Sequence, residues 1–148
     1  QTCALPISSI EFIARAIIRR GDEVLLAHRV GESNTFLPGG HVEPGEYAEE
    51  ALHRELSEEL GVNSVIGEFV GVLEHKFTDR EGRRYEEVNL IFKASVTGDE
   101  VSSVEGHLEF NWANPEEFKA RNLLPSSLHG LLEKWFETGK PFHDKLTD

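Results

Sequence analysis

The chain has 148 residues, of which 39% are hydrophobic, and its formal net charge is −12. This length suffices for one domain with a hydrophobic core and is short for two. The negative charge argues against general binding to nucleic acid backbones or anionic membranes. No run of 18 apolar residues predicts a membrane span, and the single cysteine, Cys3, excludes an internal disulfide. We therefore expect one domain located in the reducing cytoplasm.

The beginning of the chain predicts short β-strands. Residues 1–8 show no periodic pattern, and we expect them to form a disordered lead-in to a single domain over residues 9–148. Alternating and β-branched residues predict strands over 10–19 and 24–28, with a turn between them. A brief strand over 35–37 then leads into a glycine-rich loop.

Residues 40–62 combine this loop with a helix that carries many carboxylates. Pro44 and Gly45 keep the chain out of helix, and the periodic pattern that follows predicts a helix over 47–60 that stops at Gly61. Its core face has a leucine at every fourth position, namely Leu52, Leu56 and Leu60. Beside that face, carboxylates at positions i, i+3 and i+4 share one patch, namely Glu55, Glu58 and Glu59.

This acidic patch has two interpretations. Clustered carboxylates supply the oxygen ligands that hard cations such as Mg²⁺ prefer. A solvated acidic face also explains the charge, because each like-charge pair costs only about 0.2–0.5 kcal/mol, and helix charge alone favours this second interpretation. Arg54 lies four residues after Glu50 and four before Glu58, so we expect it to bind both side chains.

The segment after the helix predicts a hairpin. Residues 65–77 and 85–96 read as antiparallel strands joined by a polar turn, and apolar side chains alternate with polar ones along the second strand. An acidic, turn-rich loop follows over residues 98–106.

The last part of the chain predicts a strand and a packing helix. A strand is predicted over 107–112, and Asn114 then caps a short helix that begins at Pro115. Apolar residues at helical spacing predict a helix over 126–138 that packs on the core. Strands and helices together indicate an α/β fold.

Nine positions of the segment 40–62 follow the pattern G-x5-E-x7-R-E-U-x-E-E-x-G-U, in which U is aliphatic. A chance match has a probability on the order of 10⁻⁹ per starting point. The segment resembles the Nudix box, and its complete spacing favours a metal site over a solvated face. The nine positions are Gly40, Glu46, Arg54, Glu55, Leu56, Glu58, Glu59, Gly61 and Val62.

Resemblance to the Nudix hydrolases implies an α/β/α sandwich with a mixed central sheet. It also implies a pyrophosphohydrolase that uses Mg²⁺, with Mn²⁺ as a substitute. By the same resemblance, Glu58 and Glu59 are the principal metal ligands, and Glu55 binds metal or orients the attacking water. Arg54 holds the carboxylates in place, and the backbone carbonyl of Gly39 or Gly40 adds a ligand.

Other functional residues must come from outside the box. Nudix enzymes often recruit another acidic residue as metal ligand or base, and Glu87 and Glu105 are candidates here, ranked above Glu109. The ordinary interpretation of each is a solvent-exposed glutamate. Cationic candidates for phosphate binding are Arg15, Arg29, His75 and Arg84. Four aromatic residues are candidates for base stacking, although core packing ordinarily explains each of them: Phe12, Phe36, Phe77 and Tyr85.

Three functional hypotheses of different classes follow. The first is hydrolysis of a nucleoside diphosphate linked to another group, of the nucleotide sugar, ADP-ribose or nucleoside triphosphate type, with release of a nucleoside monophosphate. The alternative is a catalytically silent module that senses a nucleotide, and the third is a structural acidic domain. The intact box favours the enzyme, with a small nucleotide as substrate and a homodimer as one option for its assembly.

Overall fold

The computed structural model describes residues 9–98 and 101–147, which contain eight β-strands, two α-helices and one 3₁₀-helix. Residues 1–8, the expected lead-in, lie outside these ranges. No helix in the described part of the chain is long and apolar enough to cross a membrane. The elements are β1 (Ile10–Arg20), β2 (Glu23–Arg29), β3 (Thr35–Phe36), β4 (Gly39–His41), α1 (Ala48–Leu60), β5 (Ser64–Thr78), β6 (Arg84–Val96), β7 (Leu108–Ala113), the 3₁₀-helix (Pro115–Glu117), α2 (Leu128–Thr138) and β8 (Phe142–Thr147).

The strands form one mixed sheet. Their order is β3-β2-β1-β6-β5-β8, with β4 also paired to β1 and β7 to β2. The central strands β1 and β6 run parallel, in register from Ile10↔Glu86 to Ile18↔Ala94. The predicted hairpin is β5 and β6, which run antiparallel, while β8 runs parallel to β5. The predicted mixed sheet is thus confirmed.

Alternating side chains divide the core between the two faces of the sheet. Ile17 of β1 and Ile91 of β6 belong to the apolar cluster that contains the buried face of α2. Their sequence neighbours Ala16 and Phe92 belong to the opposite cluster, which contains the leucines of α1. The two helices therefore cover opposite faces of the sheet, which confirms the predicted α/β/α sandwich.

The helix α1 begins and ends close to its predicted boundaries. At its start, the Tyr47 N–H donates to Glu50 Oε1 at 2.9 Å, and at its end Gly61 adopts a left-handed conformation with φ of 65°. Leu52 and Leu56 are fully buried, as the apolar stripe predicts. The opposite side of the helix stays available for polar groups.

Sequence periodicity predicts neither β4 nor β8. β4 contains Gly39 and Gly40, which are poor strand formers, and it exists because it pairs with Ala14 and Arg15 of β1. β8 comes after the end of α2 and is defined by its pairing with β5. Both strands depend on partners that are distant in sequence, which local patterns do not report.

We expect Gly71→Ala to destabilise the fold, because β8 approaches β5 closely at Gly71. A β-carbon at this position would lie 2.6 Å from the Phe142 carbonyl oxygen and 2.7 Å from its ring. Overpacking of this kind lowers the free energy of unfolding by about 1–3 kcal/mol. Gly130→Ala in α2 is the control: apart from Gly130 itself, its two chain neighbours and the backbone of its own helix, no atom of the described residues lies within 4 Å of the added β-carbon, so we expect a gain of about 0.5–1 kcal/mol. Urea denaturation measures both changes, and equal stability of the two variants would contradict the close approach.

Candidate active site

Arg54 is the cation that organises the acidic segment. Its Nε and Nη2 atoms donate to the two carboxylate oxygens of Glu46 at 2.8 and 2.9 Å. Nη2 also donates to the His41 carbonyl, and Nη1 donates to Glu55 Oε1, both at 3.1 Å. The contact with Glu58 is longer, at 3.5 Å. Arg54 therefore joins the loop before α1 to the carboxylates on that helix.

The partners of Arg54 differ in part from the predicted ones. Helical spacing predicts contacts with Glu50 and Glu58, but Glu50 instead accepts the Tyr47 N–H at the start of the helix. Glu46, eight positions before Arg54, takes its place. The hydrogen bonds from Arg54 lower the pKa of Glu46 to about 2, and the same bonds raise the pKa of Arg54. Glu46 is thus fixed as an anion, which explains its place in the box.

Glu55 lies against the backbone of β4. A β-carbon at Gly40 would lie 2.5 Å from Glu55 Cδ, so this position has no room for a side chain. The Glu55 side chain is 20% exposed, whereas that of Glu58 is 53% exposed. Of these two carboxylates, Glu55 is therefore the one confined between the helix and the sheet.

Glu59 is a buried carboxylate with an unpaired oxygen. It is 6% exposed, and its Oε2 atom has no hydrogen-bond partner among the described residues. Burial raises the pKa of Glu59 from its ordinary value of 4.5 to about 8, and the charges of Glu55 and Glu105 add to the rise. Arg15 and a hydrogen bond from the Gly39 backbone act in the opposite direction. A carboxyl group that is buried without full hydrogen bonding, at a cost in folding free energy, is typical of a functional site.

A cleft of about 710 Å³ opens beside Glu55 and Glu59. Its volume lies within the range of small-molecule binding sites. The cleft brings together eight of the predicted site residues, namely Arg15, Arg29, Gly40, Glu55, Glu59, His75, Glu87 and Glu105. Three predicted residues do not line it, namely Arg54, Glu58 and Arg84.

Arg15 is a half-buried cation in this cleft. Its Nη1 donates to the Leu37 carbonyl at 3.1 Å, and its Cζ lies 5.5 Å from the centroid of the Phe36 ring. Burial lowers the pKa of Arg15, whereas the negative charges of Glu87 and Glu59 raise it. The guanidinium remains protonated at neutral pH, so it can meet an anion in the cleft.

The β5–β6 hairpin supplies an aromatic wall. The centroid of the Phe77 ring lies 4.7 Å from that of His75 and 5.0 Å from that of Tyr85. His75 and Phe77 line the cleft, as does Phe36, whereas Phe12 borders a second cleft of about 590 Å³. Two of the four aromatic candidates therefore reach the cleft beside the box.

Sequence reasoning does not single out every residue of the cleft. Asn89 is 8% exposed and lines the cleft, and its Nδ2 donates to the Leu73 carbonyl at 3.4 Å. The sequence feature that points to Asn89 is its position two residues after Glu87, on the polar face of a predicted strand. The apolar wall has no such feature, and it includes Leu124, Pro125 and Leu128, which lie before and at the start of α2.

The carboxylates of the box suit a hard divalent cation. No three His, Cys, Asp or Glu side chains within residues 9–98 and 101–147 converge on a metal position as they stand. The unpaired Oε2 of Glu59, next to the charge of Glu55, is nonetheless an oxygen donor that a cation would satisfy. Such an ion would also offset the repulsion between these carboxylates, so the residues present fit a metal.

We expect Glu59→Gln to stabilise the metal-free protein at alkaline pH. The raised pKa means that the contribution of Glu59 to stability is complete below pH 4.5 and is lost as the pH rises through about 8. Glutamine does not ionise, so the melting temperature of the variant should exceed that of the wild type by about 4–10 °C near pH 9 and by much less near pH 5. Thermal melts in chelator measure this difference, with the exposed Glu68→Gln as control. A difference in melting temperature that does not change with pH would contradict the burial of an ionisable carboxyl group at Glu59.

Sequence comparisons agree with this geometry. A family model described as the NUDIX domain matches residues 11–135. The CTP pyrophosphohydrolase of Escherichia coli (strain K12) is 32% identical over 123 residues, which cover 80% of this chain and 86% of that protein. The nucleoside triphosphatase NudI of Salmonella arizonae is 30% identical over 101 residues, which cover 64% of this chain and 72% of that protein.

A solved structure supports the same assignment. The crystal structure of the MutT protein from Methanosarcina mazei Go1 superposes with a TM-score of 0.70 and 26% sequence identity, covering 90% of this chain and 97% of that one. The family match extends over most of the sheet and includes the box carboxylates and their arginine. The chain therefore belongs to the Nudix family of hydrolases, enzymes that act on small nucleotide substrates and generally use a divalent metal ion.

Proposed function

We propose that the chain hydrolyses a nucleoside triphosphate to a nucleoside monophosphate and pyrophosphate, with Mg²⁺ as its metal ion and Mn²⁺ as a substitute. A water oxygen bonds to one phosphorus of the α–β bridge, the bond from that phosphorus to the bridging oxygen breaks, and the bridging oxygen leaves with the other phosphorus. One proton of the water passes to the general base. The observation that carries the proposal is the buried Glu59 carboxylate with an unpaired oxygen at the edge of a cleft that also holds Arg15. Relatives named for CTP and nucleoside triphosphates favour this class over nucleotide sugars and ADP-ribose.

In this proposal the box residues hold the metal ion. Glu59 and Glu55 offer oxygens at the cleft, Glu58 joins them from the exposed side of the helix, and the Gly40 carbonyl adds a backbone oxygen. A bound divalent cation neutralises phosphate charge and makes a bound water more nucleophilic. Arg54 keeps Glu55 in place through the 3.1 Å contact described above.

The cations of the cleft hold the phosphates. Arg15 is fixed by the Leu37 carbonyl and by Phe36, so its guanidinium is already ordered before substrate arrives. Arg29 and His75 line the same cleft from β2 and β5. Arg84 is exposed at the base of the hairpin turn and outside the cleft lining, so any contact it makes is with a part of the substrate that projects outward.

Two glutamates outside the box remain candidates for the general base, and their surroundings differ. Glu105 lines the cleft together with Glu55 and Glu59, and its charge contributes to the raised pKa of Glu59. Glu87 is the strongest opposing charge for Arg15. We therefore assign Glu105 as the residue that orients or deprotonates the attacking water, and Glu87 as the counter-charge that positions Arg15.

A substrate panel tests the proposal. With Mg²⁺, the purified protein should release a monophosphate from at least one nucleoside triphosphate, and the panel should also contain a nucleotide sugar and ADP-ribose. Glu58→Gln should lower kcat by about 100-fold or more, and excess EDTA should abolish turnover. Mg²⁺ should raise the melting temperature of the wild type and have less effect on Glu59→Gln. Tight nucleotide binding without turnover would instead indicate the silent sensing module.

Matched glutamine variants separate the two candidate bases. Glu105→Gln should lower kcat by about 100-fold, because proton transfer is lost. Glu87→Gln should change KM more than kcat, because it disturbs Arg15. Glu109→Gln, an exposed position on β7, is the control and should match the wild type. Steady-state kinetics measure all three, and a greater loss of kcat in Glu87→Gln than in Glu105→Gln would reverse the assignment.

We further propose that residues 9–148 act as one domain in the cytoplasm. The described strands from β1 to β8 belong to one sheet, which supports a single folding unit. The single cysteine supports a reducing compartment.

A further inference from the structure

Residues 101–107, here called the acid loop, precede β7 and carry Glu105. Both ends of the loop are fixed to the fold. Val101 packs against the apolar cluster that contains the leucines of α1. At the other end, the His107 carbonyl accepts a hydrogen bond from the Val30 N–H at 2.9 Å. The loop is therefore docked on the fold although most of its residues are polar.

The middle of the acid loop is attached to the C-terminal end of α1. The Val104 N–H donates to the Glu59 carbonyl at 3.0 Å. That carbonyl belongs to the last turn of the helix, where four backbone oxygens lack partners within the helix. The Val104 side chain lies over Gly61, where a β-carbon would be 2.9 Å from Val104 Cγ1. The glycine that ends the box helix thus also leaves room for the loop.

Local hydrogen bonds fix the conformation of Glu105 within the loop. Ser103 Oγ donates to the Glu105 carbonyl at 2.6 Å and accepts from the Glu105 N–H at 3.1 Å. The Glu105 side chain contacts His107, with 3.1 Å between Oε2 and Nε2. Both the backbone and the carboxylate of Glu105 are therefore held.

The position of Glu105 requires such support. It lines the same cleft as Glu59, together with Glu55 and Glu87. Repulsion from Glu55 and Glu87 disfavours a further anion in the cleft, so electrostatics alone would drive the Glu105 carboxylate away. The attachment of the loop to the backbone of α1 opposes this separation.

We propose that Val104 and Ser103 are positioning residues, which dock the acid loop on the end of the box helix and so keep the Glu105 carboxylate beside Glu59 for catalysis. In this arrangement the side chains of α1 offer the proposed metal ligands. The Glu59 carbonyl, in the last turn of the same helix, holds the acid loop that carries Glu105. This inference rests on the proposed function, because it assigns Val104 and Ser103 a role only through Glu105.

Kinetic variants test the attachment. Val104→Gly should lower kcat by roughly 10-fold with less than about a 2-fold change in KM, because a misplaced catalytic group slows chemistry without weakening nucleotide binding. Ser103→Ala should also lower kcat, and the conservative variant Val104→Ile should retain wild-type kcat. Val65→Gly is the matched control: Val65 is 68% exposed and Val104 62% exposed, so both variants lose an exposed valine, but Val65 belongs to β5 and not to the acid loop. Equal kcat in Val104→Gly and Val65→Gly would overturn the proposal.

A double-mutant cycle with Glu105→Gln decides whether Val104 acts through Glu105. In that background Val104→Gly should have no further effect on kcat, while its effect on melting temperature should stay the same. Additive losses of kcat would overturn the positioning role. Two other results are distinguishable from this one. If the wild type turns over no nucleotide, the proposed function itself is wrong. If Glu105→Gln alone keeps full kcat, the assignment of Glu105 as the base is wrong.

Discussion

Repulsion among the carboxylates of α1 is the constraint on which the site depends. The helix places Glu55, Glu58 and Glu59 within one turn, and the structure compensates them unequally. Arg54 contacts Glu55 and Glu58 from the outer side, whereas Glu59 keeps a buried oxygen without a partner. The carboxyl group left without a compensating partner is therefore the one that faces the cleft. A fold that gives up stability at one place usually does so for function, and here that place is the cleft edge.

The sheet makes this arrangement possible because its backbone fixes the groups around the carboxylates. β1 pairs with β4 so that Arg15 stands opposite Gly39, whose backbone donates to Glu59. On its other side β1 pairs with β6, which places Arg15 opposite Ile91 in the core. The guanidinium is thus carried by a central strand with neighbours on both sides. A cation on a surface loop would not be held so firmly against the acidic helix.

Local patterns in the sequence predict the helix and its charged face, because both depend on residues within one or two turns. Leu52 and Leu56 are buried, as the spacing predicts. Of the predicted carboxylate patch, Glu55 and Glu59 reach the cleft and Glu58 does not. The partner of Arg54 is not predictable in this way, since Glu46 lies in the loop and meets the arginine only after the chain turns. The same reason applies to β8 and to the apolar wall of the cleft. These features arise from contacts between segments that are far apart in sequence, and periodicity carries no information about such contacts.

The charge balance of the cleft bears on how an acidic protein accepts a polyanion. Screening reduces the influence of distant surface charge, because the Debye length is about 8 Å at physiological ionic strength. The local balance is still unfavourable, since two arginines and five glutamates line the cleft. Phosphates entering such a cleft meet net repulsion unless further positive charge is present. A divalent cation at the box carboxylates supplies that charge and satisfies Glu59 at the same time, so metal and substrate binding are expected to be coupled: each lowers the electrostatic cost of the other.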